Sequence, residues 1–130
     1  MKVDVMLFVR DVEASSRWYQ ELLGAKSGHG GAEYEMIVDH DDALLFQLHH
    51  LEGEEHAADS LADDDKRGAG VHMYVLVDDL SGVHRQAESM DADLRSEPQY
   101  IELARHTEFI VRDPDGYSLA IYSPGNTLTS

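Results

Sequence analysis

Residues 108–123 read Glu-Phe-Ile-Val-Arg-Asp-Pro-Asp-Gly-Tyr-Ser-Leu-Ala-Ile-Tyr-Ser. Two apolar, β-branched runs, Phe109 to Val111 and Leu119 to Tyr122, flank Asp113-Pro114-Asp115-Gly116. Proline presets φ at the first turn position, aspartate binds its own backbone, and glycine takes the positive φ that closes the turn. The stretch predicts a β-hairpin.

Working back from the hairpin, the chain shows one pattern twice. Val3 to Val9 is a strand, Asp11 an N-cap, and Ser15, Trp18, Tyr19, Leu22 and Leu23 fall at helical spacing before Gly24. Trp18 and Tyr19 are expected in the core. Tyr34 to Val38 and Ala43 to His50 read as strands around the turn Asp39-His40-Asp41-Asp42. Val71 to Val77 then restarts as a strand, with Asp79 as a second N-cap and Leu80, Val83, Ala87 and Met90 as an amphipathic stripe. At an offset of 68 residues Val9 meets Val77, Asp11 meets Asp79, Arg17 meets Arg85 and Leu22 meets Met90. This is a duplicated βαβββ module rather than a solenoid repeat. One helix covers one sheet face, so two modules side by side are expected to form a cleft. The fold class expected is α+β: two tandem βαβββ modules in a cupped, mostly antiparallel eight-stranded sheet.

The chain has 130 residues, enough for one domain. Module one is placed at 1–51, an acidic linker at 52–69, module two at 70–124 and a tail at 125–130. The linker carries Glu52, Glu54, Glu55, Asp59 and Asp63-Asp64-Asp65 without an apolar period, and is expected to be solvated and mobile. Residues 95–104, with Pro98, predict an edge or an irregular entry.

No cysteine is present, which excludes disulfides, thiolate metal sites and cysteine nucleophiles. A net charge of −16, from 26 acids and 10 bases, argues against nucleic acid, whose phosphates need clustered Lys and Arg. The acidic field would attract cations, but solubility or a saline cytoplasm is the reading expected first, since charge argues solubility before partners. Met-Lys-Val-Asp-Val lacks the apolar run of a signal peptide, and no apolar stretch approaches a membrane span, so a cytoplasmic protein without membrane contact is expected. Gly28, Gly30 and Gly31 lack the lysine and helix of a phosphate loop.

Three motifs in order carry a resemblance over almost the whole chain. Leu7-Phe8-Val9-Arg10-Asp11-Val12 with Trp18-Tyr19 and Leu22-Leu23-Gly24, Gly70-Val71-His72-Met73-Tyr74-Val75-Leu76-Val77-Asp78, and Asp113-Pro114-Asp115-Gly116-Tyr117 resemble the vicinal oxygen chelate superfamily. That superfamily includes glyoxalase I, extradiol dioxygenases, and bleomycin and fosfomycin resistance proteins. The resemblance implies a metal site with one donor from each of four strands. The matching positions here are Asp4, Gln47, His72 and Ala120, the last standing where metal-dependent members hold glutamate. Asp4 and His72 are paired by the repeat.

The expectation is a metal-free small-molecule binder, similar in type to the bleomycin-binding proteins, taking an aromatic or cationic ligand and forming a homodimer. The rival expectation is a lyase, isomerase or dioxygenase holding Zn, Ni, Mn or Fe on Asp4, Gln47 and His72. Strand parity adds Met6, Phe8, His49, Tyr74 and Tyr122 to the ligand-binding residues Asp4, Gln47, His72 and Ala120. No catalytic residue is assigned. His106 and Glu108 share a face and are expected to form a surface ion pair.

Overall fold

The computed structural model describes residues 1–51 and 67–128. The acidic linker therefore lies, over 52–66, outside the described residues, as do the last two residues of the tail. The described chain holds two helices and nine strands, in two mixed sheets of four and five strands. It divides into two compact units, 1–67 and 68–130.

In the first unit the strands are β1 (Met6–Val9), β2 (Lys26–Gly30), β3 (Tyr34–Val38) and β4 (Leu44–His50), and the helix is α1 (Val12–Leu23). The sheet order is β1-β4-β3-β2, with β1 parallel to β4 and the other pairs antiparallel. Asp11 starts α1: its side chain accepts the Ala14 N–H at 3.0 Å. Gly24 ends the helix in the left-handed region at φ 69°, where its N–H donates to the Gln20 carbonyl. Leu7, Val9, Val12, Tyr19, Ile37, Phe46 and Leu48 are buried. Tyr19 meets Phe46 edge-on at 4.7 Å, which places α1 against one face of the sheet. Trp18 is only half-buried, at the rim of that core rather than inside it, its ring 4.9 Å from Tyr19.

The second unit repeats the plan with β5 (His72–Leu76), α2 (Leu80–Ser89), β6 (Asp93–Leu94), β7 (Gln99–Ile101), β8 (His106–Arg112) and β9 (Ser118–Pro124). Its order is β5-β9-β8-β6, with β7 also pairing β8, and β5 is parallel to β9. Asp79 caps α2 as Asp11 caps α1, accepting the Gly82 N–H at 3.0 Å. The face of α2 turned to the sheet holds Leu80, His84 and Ala87 instead of the expected Leu80-Val83-Ala87-Met90 stripe. His84 packs edge-on against Phe109 at 5.0 Å, between the carboxylates of Glu88 and Glu97. The β8–β9 turn forms as its residues dictate. The Gly116 N–H donates to the Asp113 carbonyl at 3.0 Å, with Gly116 at φ 96°.

Three details depart from the expectation. The first strand begins at Met6 rather than Val3. A strand not foreseen, β2, fills 26–30. The region 95–104 yields a short strand, and another of two residues precedes it, so nine strands form rather than eight. No helix among the described residues is long and apolar enough to cross a membrane.

Candidate functional site

Because one face of each sheet carries the helix, strand alternation sends every second side chain to the helix-free face. In the first unit the register pairs Met6 with Gln47 and Phe8 with His49, so these four share that face. β3 pairs antiparallel with β4 and adds Tyr34, opposite His49, and Met36, opposite Gln47. The Tyr34 hydroxyl donates to Gln47 Oε1 at 2.5 Å. The Tyr34 ring also lies 6.5 Å from His49 and 6.3 Å from His29. The ring of His49 is buried 5.4 Å from Phe8, and its Nδ1 lies 2.9 Å from the His50 carbonyl. A carbonyl only accepts, so Nδ1 carries the proton there. Asp4 precedes β1, half of its side chain is exposed, and its carboxylate lies 3.4 Å from the Lys2 ammonium.

In the second unit the register pairs His72 with Ser118, Tyr74 with Ala120 and Leu76 with Tyr122. The positions of Gln47 and Ala120 are equivalent: each faces the residue two beyond Asp4 or His72 respectively. Ala120 is fully buried. Around it the face is aromatic, with Tyr74 5.4 Å from His72 and 5.9 Å from Tyr122.

β8 adds His106 and Glu108 to this same face. His106 Nε2 lies 2.6 Å from Glu108 Oε1, and the side chains are only 12% and 13% exposed. The expected pairing of these two side chains exists, but it does not lie at the surface. β7 and β9 flank β8, setting Gln99 and Tyr122 beside Glu108, and the His106 ring lies 4.8 Å from Tyr122.

Among the described residues no group of three or more His, Asp or Glu side chains is arranged to hold a metal ion. Of the three donors named from sequence, Asp4 is paired with Lys2, Gln47 accepts from Tyr34, and His72 is an exposed residue at the start of the edge strand β5. Sequence reasoning missed Tyr34 and His29. Parity could have found Tyr34, had the register of the β3–β4 hairpin been readable; a bulge at Ile37/Val38 hides it.

The family model for the Glyoxalase/Bleomycin resistance protein/Dioxygenase superfamily matches residues 3–121. No curated protein sequence matches the chain. Among solved structures, a protein from the mobile metagenome of V. pseudocholerae is 22% identical, with TM-score 0.72, covering 97% of this chain and 96% of its own. Lactoylglutathione lyase from Agrobacterium tumefaciens is 14% identical, with TM-score 0.67 and coverage of 95% and 92%. The fosfomycin resistance protein FosX from Mesorhizobium loti is 14% identical, with TM-score 0.66 and coverage of 98% and 94%. At these identities the likeness is one of fold.

Proposed function

Since the chain belongs to the glyoxalase/bleomycin resistance protein/dioxygenase superfamily, we propose that it is a metal-independent binding protein for a planar aromatic or cationic small molecule. The observation that carries this reading is Ala120. A buried methyl group paired with Tyr74 stands where the superfamily's metal-dependent members place a glutamate. Alanine neither ligates nor moves a proton. Around the ligand positions stand rings instead: Phe8, Tyr34 and His49 in the first unit, Tyr74 and Tyr122 in the second. Ring faces favour planar and cationic partners, and a net charge of −16 draws cations toward the protein. The ligand residues of this reading are Asp4, Met6, Phe8, Gln47, His49, His72, Tyr74, Ala120 and Tyr122. A homodimer is part of the same proposal.

The rival reading, a metal-dependent enzyme using Asp4, Gln47 and His72, draws support from the fold shared with a lyase. Restoring the missing group separates the two. Ala120→Glu, alone or with Gln47→Glu, is expected to give a nickel-, zinc- or manganese-dependent rise in melting temperature that the parent lacks. Tight metal binding by the parent, abolished by His72→Ala or Asp4→Ala, would replace this proposal with the enzyme.

A further inference from the structure

From the His106–Glu108 pair we infer that the second unit carries a metal-free proton-transfer site, with His106 as general base and Glu108 as its positioning residue. Glu108 Oε1 lies 2.6 Å from His106 Nε2. An ionised carboxylate only accepts, so Nε2 carries the proton and Nδ1 of the neutral ring carries the lone pair. Nδ1 meets no hydrogen-bond donor among the described residues, and it is not sealed from solvent. A carboxylate holding one ring nitrogen so that the other acts as base is the arrangement by which histidine is oriented for catalysis. The histidine of an exposed pair turns freely. Here the ring is fixed: both side chains are nearly nine-tenths buried in the strand between β7 and β9, with Tyr122 at 4.8 Å and Tyr74 at 6.2 Å.

The two tyrosine rings form a wall beside the base, and their hydroxyls make no hydrogen bond among the described residues. They are therefore available to a ligand oxygen. The substrate class is a planar aromatic compound with an acidic C–H or O–H. The step moves one proton from that bond to Nδ1, leaving the electron pair on the ligand, and the imidazolium returns the proton to water or to a second ligand atom. No metal or redox partner is needed. The inference rests on the reading of this face as a ligand face for the aromatic wall alone.

The probe is nitrobenzisoxazole, a flat aromatic whose ring opens in one step when a base takes its C–H proton. The C–H pair becomes part of a nitrile, the N–O bond breaks, and a coloured cyanonitrophenolate leaves. The parent is expected to show saturable turnover. His106→Gln, which keeps a hydrogen bond to Glu108 but offers no base, should lower kcat at least about a hundredfold, the low side of what general-base catalysis contributes. Glu108→Gln should lower kcat while KM stays unchanged, whereas a merely structural loss would raise KM. His40→Gln serves as control, because His40 makes an equivalent but exposed pair with Asp41 at 3.4 Å; its rate should equal the parent's. Binding is measured apart from turnover, as the melting-temperature shift given by the unreactive isostere nitrobenzotriazole. A shift with a parent rate no greater than that of His106→Gln overturns the dyad and leaves the ligand face standing. Neither shift nor turnover overturns both.

Discussion

Asp113 is almost completely buried in the β8–β9 turn, and its Oδ1 accepts two backbone N–H groups, from Asp115 at 2.9 Å and Tyr117 at 2.8 Å. Its own N–H donates to the Tyr117 carbonyl at 2.8 Å. One side chain thus closes a loop that Pro114 and Gly116 only bias. Asp113→Ala removes the acceptor of one buried and one partly buried N–H and should cost about 1–3 kcal/mol in urea unfolding, while Asp113→Asn, which keeps an acceptor oxygen, should cost less. An unchanged midpoint for Asp113→Ala would mean that the turn is held by sterics alone. This residue's role is readable from sequence, because Asp-Pro-Asp-Gly is local chemistry. The partners of Gln47 and Glu108 are not: each depends on which strand lies alongside, and Tyr34 is 13 positions away from Gln47. His106 and Glu108 were placed on one face by parity alone, but their burial depends on flanking strands that parity does not see.

Elements with a local signal formed where their residues put them: both helices start at aspartate caps 68 residues apart, and β3, β4, β5, β8 and β9 match their apolar runs. β2 escaped because Lys-Ser-Gly-His-Gly has neither alternation nor β-branched residues, and all five positions are exposed. Its glycines answer a tertiary demand. The register shifts between Ser27 and His29, and a Cβ at Gly28 would stand 2.6 Å from Val38 Cγ1. Nothing local marks such a strand, just as nothing local marks β6, which exists only through pairing with β8. The β3–β4 turn shows the opposite case. Backbone N–H groups of Ala43 and then Asp41, both donating to Asp39 Oδ1, hold the Asp39 carboxyl below its ordinary value of 3.8. A depressed folded value means that this contribution to stability is complete above the ordinary value and disappears as pH falls through the folded one. Protection factors at the Asp41 and Ala43 amides, taken against the intrinsic exchange rate at each pH, should therefore fall below about pH 4 in the parent. In Asp39→Ala they should be low at neutral pH as well. Equal protection in the two proteins would show that the turn does not depend on this carboxylate.

At the scale of the whole molecule, the duplicated module and the superfamily were legible because they repeat or occur in order, whereas the ligand was not, since ring faces accept many compounds. What the chain does with its exposed apolar surface can be measured directly. On β5, Tyr74 and Leu76 are 58% and 59% exposed, and β5 is an edge strand of its sheet. Leu45 on the first sheet is 46% exposed. Large apolar side chains on an edge strand offer a surface on which the proposed homodimer would form. Self-association is the occupant that needs no second component, and it agrees with the homodimer proposed above. Like charge on two such chains opposes their approach, but screening at physiological salt confines that repulsion to about 8 Å. The dimer should therefore strengthen with salt. Sedimentation velocity at micromolar concentration is expected to give a dimer, with the monomer fraction rising at low ionic strength. Leu76→Asp places a charge on the exposed apolar edge and should yield a monomer with its melting transition intact. A parent that sediments as a monomer at every salt concentration would refute the dimer and leave Tyr74 to the ligand alone.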